Sequence, residues 1–305
     1  MKKSIYAAAA VLFGVNVSYA GETALDSLRA SVSPSVLSGT VLPDVPKGYA
    51  MGNDPSAGAP SKPLEWVPIS GGKFTMGTDD NADYNFGWGA PVHEVAVKAF
   101  DMAKTAVTVE QYAECVIKGQ CTEPNTGGFC NWGKTGQRLH PVNCVDWNQA
   151  NQYAKFKGAR LPSESEWEYA AKSGGKNQKY PWGNEDATCD RAVMYGNGGC
   201  GCGTDSTMPV CSKPAGNTRI GGLTADKQLC DMAGNVWQWV QDKFQESYTG
   251  SPTDGGAFEG AGSSRVLRGG SFSDGGANLR ADLRNYGDPG NHGAYFGLRL
   301  ARSSR

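Results

Sequence analysis

The sequence predicts an α+β fold with short helices and much irregular structure. The chain of 305 residues contains 42 Gly, 8 Trp and 12 Tyr. This composition is typical of a loop-rich domain in which large rings build the core. Short strand-like and helix-like patterns alternate from residue 64 onward, and no segment repeats, which argues against a solenoid or propeller. We therefore expect a single domain over residues 64–305.

The elements of this domain follow from local patterns. The stretch "LEWVPISGGKFTMGT" alternates apolar residues around a Gly-Gly turn and predicts a hairpin. Next, "HEVAVKAFDMAKTAVTVEQYAECVI" predicts a strand, a turn and a helix that begins near Thr108. "VDWNQANQYAKFKG" predicts a second helix ending at Gly158. Ser163 and Glu166 form the capping-box pattern of a third helix, which glycines 174–175 end.

The beginning of the chain predicts export. "MKKSIYAAAAVLFGVNVSYA" has two lysines, a short apolar run and small residues up to Ala20, which indicates a signal peptide over residues 1–20. The run is too short for a transmembrane helix, and no other run approaches that length. Residues 21–63 are rich in Pro, Gly and Ser and read as an arm or linker. We expect an exported protein without a transmembrane segment, located either in the periplasm or outside the cell, secreted or on the cell surface.

Charge and motifs exclude several classes of function. The net charge is -1, which gives no reason to expect a nucleic-acid partner or an anionic membrane surface. The sequence contains no Walker loop, no G-x-S-x-G and no H-E-x-x-H. Its three histidines are far apart and have no metal-ligand spacing.

Cysteine usage agrees with an oxidising compartment. Nine cysteines follow the signal peptide, and most should be paired there. Sequence neighbours indicate disulfides between Cys115 and Cys121 and between Cys130 and Cys144. The other five are Cys189, Cys200, Cys202, Cys211 and Cys230, so one should stay free. A zinc site at "CGCG" with Cys211 is the alternative, although no His lies nearby.

Several blocks, taken in order, resemble one family. They are "VPISGGKFTMGT", "PVHEVAVKAFDMAKTAVTVEQY", "HPVNCVDWNQANQYAKFKGARLPSESEWEYAAKSG", "YPWGN", "DMAGNVWQWVQD", "RVLRGGSFSD" and "FGLRLAR". The order is similar to that of the formylglycine-generating-enzyme (sulfatase-modifying factor) family, over residues 64–303. The resemblance implies an irregular C-type-lectin-like α+β domain.

The same resemblance argues against the family's copper chemistry. In formylglycine-generating enzymes two cysteines follow the "GGS" block and bind copper, a soft ion that thiolates suit. The aligned positions here are Asp274 and Leu279, and no cysteine follows Cys230. Copper is therefore not expected, and the chain should lack formylglycine-generating activity.

A calcium site is a further implication of the resemblance. The stretch "DMAGNVWQW" resembles a turn close to a calcium site in the family. The implied ligands are Asn235, the carbonyl of Val236 and Gln238. Gln238 stands where Glu is usual, which should lower calcium affinity. The alternative is a metal-free turn anchored by aromatic rings, and the sequence leaves both open.

The segment 271–297 is the predicted recognition site. It resembles the variable region that diversity-generating retroelements rewrite, and its Tyr, Asn, Ser and Gly residues are those that dominate antibody paratopes. We predict that this C-terminal face binds a protein or glycan ligand. The candidate ligand-binding residues are Phe272, Ser273, Asp274, Asn278, Asp282, Asn285, Tyr286, Asn291, His292 and Tyr295.

Other interpretations of this segment remain. Its polar residues could reflect exposure alone. We expect the arginines within and beside the segment to be structural and to pair with nearby aspartates. These arginines are Arg268, Arg280, Arg284 and Arg299, and the aspartates are Asp274, Asp282 and Asp288. Two further functions stay open. One is a periplasmic oxidoreductase without copper cysteines, similar to the family member that takes part in pyoverdine maturation. The other is a structural or assembly protein of the envelope. The sequence does not determine the oligomeric state.

Overall fold

The computed structural model describes residues 61–79 and 88–304. The predicted signal peptide and nearly all of the predicted arm lie outside these residues. The described residues form three short helices and nine strands. The helices are α1 (Val109–Ile117), α2 (Trp147–Phe156) and α3 (Glu164–Ala171). The strands are β1 (Trp66–Ile69), β2 (Gly72–Met76), β3 (His93–Val97), β4 (Phe100–Ala103), β5 (Trp237–Lys243), β6 (Arg265–Arg268), β7 (Arg284–Gly287), β8 (Phe296–Leu298) and β9 (Ala301–Ser303).

The strands form three small sheets in the described residues. Their orders are β1-β4-β9, β2-β3 and β7-β6-β5-β8. All neighbours are antiparallel except β5 and β8, which run parallel. The first sheet joins the two ends of the domain, because β9 pairs with β4. The predicted α+β class with short helices is confirmed.

The predicted hairpin is wrong in its pairing. β1 pairs with β4, and β2 pairs with β3, so the two strands flanking the Gly-Gly turn belong to different sheets. Gly71 lies against the backbone of the β3–β4 connection, where a Cβ atom would be 2.5 Å from the carbonyl oxygen of Val97. This close approach directs the chain from one sheet to the other. Local alternation could not reveal that contact.

Each helix begins with a capping box. The pairs are Thr108 with Gln111, Asp146 with Gln149, and Ser163 with Glu166. In each pair the first side chain accepts from a backbone N–H, and the second accepts from the backbone N–H of the first residue. The predicted helix starts at Thr108 and Ser163 are therefore confirmed.

Buried rings make up much of the core. Trp132, Trp167, Trp182 and Trp239 are all less than 2 % exposed. Their ring nitrogens need partners when buried. Trp239 donates from Nε1 to the carbonyl of Val145 at 3.0 Å. The aromatic core that composition predicted is thus confirmed.

Five charged residues form a buried group that we call the α3 ion cluster: Glu164, Glu168, Lys172, Arg268 and Arg284. Glu168 is fully buried and contacts both Lys172 Nζ, at 2.8 Å, and Arg268. Glu164 receives Arg284 Nε at 2.7 Å and Nη2 at 3.0 Å. Burial by itself would raise the pKa of Glu168, but the charges of Lys172 and Arg268, together with hydrogen bonds from Lys172 and the Gly77 N–H, lower that pKa. The cluster joins α3 to β6 and β7.

The predicted arginine–aspartate pairing is correct at one position only. Arg280 binds Asp282 through Nε, at 2.9 Å, and Nη2, at 2.8 Å. Arg268 and Arg284 instead pair with the glutamates of α3. Arg299 donates to Gln238 Oε1 at 2.9 Å and to backbone carbonyls. The arginines are structural, as expected, but most of their partners lie far away in the sequence.

Four disulfides brace the domain, and the two predicted from sequence spacing are confirmed. The pairs are Cys115–Cys121, Cys130–Cys144, Cys189–Cys202 and Cys211–Cys230. Cys200 is the free cysteine. The zinc alternative is wrong, because Cys202 and Cys211 belong to different disulfides. Four disulfides indicate an oxidising compartment. Within the described residues no helix has the length and apolarity that a membrane span requires.

The α3 ion cluster gives a stability prediction. Glu168→Gln leaves the buried Arg268 and Lys172 without their shared carboxylate, so the free energy of unfolding should fall by about 3–5 kcal/mol. Denaturant unfolding of the purified domain measures this loss. Glu114→Gln is the matched control, because Glu114 pairs with Lys118 and Lys157 near the surface. That control should change the free energy of unfolding by about 1 kcal/mol or less. Equal losses in the two variants would contradict a special role for the cluster.

Candidate functional site

The predicted recognition segment reaches two opposite edges of one sheet. Tyr286 lies on β7 and Tyr295 directly precedes β8. These strands occupy opposite edges of the sheet β7-β6-β5-β8. Three strand spacings separate the two edges by about 14 Å. The candidate residues therefore fall into separate groups.

Asp274 is the centre of the first group. Its Oδ2 accepts from Trp237 Nε1 at 2.9 Å and from the N–H and hydroxyl of Ser271 at 2.9 and 2.5 Å. Its Oδ1 accepts from Asn278 Nδ2 at 3.2 Å. Ser273 lies beside it, with its hydroxyl 3.2 Å from that of Ser271. Four donors thus hold this carboxylate in place and tie the segment to the start of β5.

Leu279 belongs to the core. It is fully buried, and a Cβ atom on Gly270 would lie 2.8 Å from Leu279 Cδ1. Gly270 also has φ +73°, a conformation that favours glycine. The two positions at which the family resemblance places copper thiolates therefore carry a hydrogen-bonded carboxylate and a packed leucine. Neither can act as a soft ligand for copper.

Two exposed rings, Phe129 and Tyr195, belong to loops that contact the segment of Asp274. Phe129 is 46 % exposed and Tyr195 is 53 % exposed. The Tyr195 N–H donates to the carbonyl of Asp274 at 2.9 Å. Phe129 lies 6.4 Å from the half-buried Tyr295, measured between ring centroids. We call Phe129, Tyr195, Asp274 and Tyr295 the aromatic face.

Phe272 supports the aromatic face from below. It is fully buried, and its ring centroid lies 5.9 Å from Phe129 and 5.3 Å from Tyr295. Phe272 thus lies beneath the surface that the sequence assigned to it. Sequence reasoning also missed Phe129 and Tyr195. They come from loops far upstream, and no local pattern connects them to Asp274.

A second group lies on β7. Tyr286 is 42 % exposed and stacks on Phe244, with ring centroids 4.2 Å apart. Trp88 meets Tyr286 edge-on at 5.4 Å. Asn285 is half-buried, and its side-chain oxygen accepts from the Tyr286 N–H at 2.8 Å. This group shares no residue with the aromatic face.

The remaining candidates are placed singly. Asp282 is buried and paired with Arg280. Asn291 is exposed in the loop before β8. His292, in the same loop, has Nε2 3.6 Å from Asp146 Oδ2 at the beginning of α2.

The turn proposed for calcium is filled by hydrogen bonds. Asn235 is fully buried with φ +67°, and its amide accepts from the Met208 N–H at 3.1 Å and donates to the Met208 carbonyl at 3.0 Å. Val236 offers only its backbone carbonyl. Asn235 therefore uses its side-chain oxygen to anchor the loop that contains Met208.

Gln238 does not fit a calcium ligand. Its Oε1 accepts from Trp167 Nε1 and from Arg299 Nε, each at 2.9 Å. Burial lowers the pKa of Arg299 to about 10, which still leaves its guanidinium charged at neutral pH. A cation on the same oxygen would be repelled by that charge. No group of three His, Cys, Asp or Glu side chains in residues 61–79 and 88–304 could hold a metal ion. The side-chain oxygens of Asn235 and Gln238 thus accept from protein donors in this structure, and calcium at this turn stays a prediction from the resemblance.

A buried histidine supports this turn. His140 Nδ1 lies 2.8 Å from Thr207 Oγ1, which also accepts from Asn131 Nδ2 at 2.9 Å. Thr207 directly precedes Met208, the partner of Asn235. Burial lowers the pKa of His140 to about 4. The ring is therefore neutral in the folded protein.

Comparisons with known proteins agree with this fold. Residues 54–304 match the model of the sulfatase-modifying factor enzyme 1-like domain. Formylglycine-generating enzyme of Streptomyces coelicolor is 31 % identical over 289 residues, covering 78 % of this chain and 89 % of that protein. Hercynine oxygenase of Mycobacterium tuberculosis is 29 % identical over 250 residues, covering 69 % and 54 %.

Solved structures show the same architecture. PvdO from Pseudomonas aeruginosa has a TM-score of 0.65 and 28 % identity, covering 79 % of this chain and 95 % of PvdO. Variable protein 1 of Treponema denticola has a TM-score of 0.60 at 22 % identity, covering 80 % and 96 %. That second likeness shows the fold alone. The irregular C-type-lectin-like fold expected from the resemblance is confirmed.

The buried histidine predicts a pH dependence. Between its unfolded pKa of about 6.5 and its folded pKa of about 4, the unfolded chain binds more protons at His140. Stability should therefore fall as pH decreases through this window. His140→Gln should flatten the dependence of the thermal midpoint on pH between these values and leave the protein folded at pH 8. An unchanged slope in the variant would show that another group causes the acid sensitivity.

Proposed function

This chain belongs to the sulfatase-modifying factor enzyme 1-like domain family, and from that premise we propose that it is a binding protein whose ligand docks on the aromatic face. The carrying observation is that two exposed rings, Phe129 and Tyr195, come from loops that contact the segment of Asp274, where the family resemblance places the copper thiolates. A carboxylate with four donors replaces the first thiolate. Recognition, rather than oxidation by a copper–thiolate centre, suits these side chains.

The chemistry of the face favours a protein ligand. Phe129 has no polar atom and offers an apolar surface, while Tyr195 and Tyr295 add hydroxyl groups to large rings. Such side chains provide contact area with few rotatable bonds, so little entropy is lost on binding. Backbone hydrogen bonds hold two of these residues: the Tyr195 N–H donates to the Asp274 carbonyl, and the Tyr295 carbonyl accepts from Trp237. The backbone that carries these two rings is therefore fixed before binding, which lowers the cost of association.

Diversification by a retroelement stays a prediction from the sequence. Substitution is tolerated best where a side chain is exposed and makes few contacts. Asn291 meets that description, whereas Phe272 and Asp282 are buried. The number of positions that a retroelement could vary in this segment should therefore be smaller than its composition indicates.

An oxidoreductase is the second candidate function. The hercynine oxygenase relative favours it at the level of the family. A specific feature of this chain also favours it. Cys200 carries a free thiol, and the next residue, Gly201, donates to the Phe272 carbonyl at 2.7 Å. One thiol therefore lies in the loop that contacts the segment of Asp274.

Binding at the aromatic face predicts a specific loss of affinity. Peptides selected from a phage-displayed library on the wild-type protein should bind Phe129→Ala/Tyr195→Ala at least about tenfold more weakly, because truncating aromatic anchors removes about 2 kcal/mol or more. Tyr286→Ala is the matched control. It removes an equally exposed ring at the far edge of the sheet and should retain affinity within about twofold. Equal binding by all three proteins, with unchanged thermal midpoints, would refute the proposal.

Metal analysis separates the second function from the first. The wild-type protein, purified without chelators, should contain only traces of copper and iron if it is a binding protein. Cys200→Ser should then retain peptide affinity. One equivalent of copper or iron that disappears in Cys200→Ser would instead support the oxidoreductase.

A further inference from the structure

We propose that this protein has a second binding site, a polar pocket at the end of β2 that takes a neutral sugar. The cavity has a volume of about 570 Å³, within the range of about 300–1,000 Å³ that is usual for small-molecule sites. Its walls include Asn177, Gln178, Lys179, Asn184, Arg280 and Asp282. None of these residues belongs to the aromatic face. The proposal is therefore independent of the function proposed above.

The deeper cations of the polar pocket are already neutralised. Lys172 Nζ lies 2.8 Å from Glu168 Oε1 and donates to the carbonyl of Thr75 at 3.1 Å. Arg280 binds both oxygens of Asp282. Each positive charge thus has a carboxylate beside it. An anionic ligand would have to compete with these carboxylates, whereas a neutral ligand would not.

The rim is balanced in the same way. Lys179 and Asp79 are both exposed and carry opposite charges. Taken with the pairs beneath them, they leave the wall close to neutral. A strong field that would concentrate phosphate or another multivalent anion is therefore missing from the described wall.

Donors and acceptors alternate along the wall. Gln178 uses both amide hydrogens on the carbonyls of Tyr180, at 2.7 Å, and Pro181, at 3.1 Å. Toward a ligand it can only accept. Asn184 is the opposite case, because its oxygen accepts from the Lys179 N–H at 2.9 Å and its amide hydrogens remain as donors.

Asp282 adds an acceptor to the same wall. Arg280 donates to it from Nε and Nη2 and also donates from Nη2 to Thr78 Oγ1 at 3.4 Å, so this ion pair offers a ligand its carboxylate rather than its guanidinium. A hydroxyl group both donates and accepts. Neighbouring hydroxyl groups on a sugar ring can therefore satisfy adjacent donors and acceptors without breaking the ion pair. This match is the reason for choosing a sugar over an anion.

The test is an NMR titration of the full domain with defined probes. Glucose, galactose, mannose and N-acetylglucosamine are added separately to ¹⁵N-labelled protein, with inorganic phosphate and glycine as charged probes. At least one sugar should cause saturable shifts of the Gly77, Thr78 and Lys179 amides. Phosphate and glycine should leave these amides unchanged. Saturation by phosphate or glycine, or by none of the sugars, would overturn the proposal.

A pair of variants locates the binding. Asn177→Ala/Lys179→Ala removes two exposed wall side chains and should weaken sugar binding about tenfold, as expected for the loss of a charged hydrogen-bond donor. Lys176→Ala is the matched control, since Lys176 is exposed nearby but donates to the Arg219 carbonyl outside the polar pocket. It should keep the wild-type affinity. Equal affinities for both variants would place the sugar elsewhere and refute this site. The aromatic-face peptides should bind both variants normally, so either proposal can fail alone.

Discussion

The α3 ion cluster is the interaction on which the rest of the structure depends. Glu164 and Glu168 hold the arginines that end β6 and begin β7. Glu168 also accepts from the backbone N–H of Gly77, just after β2. Burying so many charges is unfavourable unless every partner is in place. The cluster therefore permits essentially one arrangement of α3, β2 and the four-stranded sheet. The recognition segment, residues 271–297, contains Arg284, which Glu164 binds, so the position of the segment depends on the cluster.

Local structure was predictable because its causes are local. The capping boxes join residues three apart, and the two disulfides chosen from the sequence join cysteines 6 and 14 apart. The partners of the buried arginines were not predictable. Arg268 meets Glu168 across 100 residues of sequence. The same limit explains the wrong pairing of the predicted hairpin. The backbone that packs against Gly71, at Val97, lies more than twenty residues further along the chain.

The candidate site shows this limit most clearly. Asp274 was identified from the family pattern, but its four donors include Trp237, and the loops of Phe129 and Tyr195 contact its segment. Those residues come from three separate parts of the chain, joined by irregular loops. Composition indicated a recognition surface, whereas the fold divides the segment between the two edges of a sheet. The scaffold is shared with enzymes of the family, and its function depends on which side chains are placed on it.

The order of the cysteines has a consequence for how the protein is made. In all four disulfides the partners come from the same short stretch, and no two loops cross. Joining the cysteines two by two in sequence order would form the first two of these disulfides, Cys115–Cys121 and Cys130–Cys144. From Cys189 onward this order fails, because Cys200 precedes Cys202, the true partner of Cys189, and Cys202 would then be joined to Cys211 instead of Cys211 to Cys230. Forming the last two disulfides therefore requires either that Cys200 is passed over or that thiol–disulfide exchange replaces the bonds formed between consecutive cysteines.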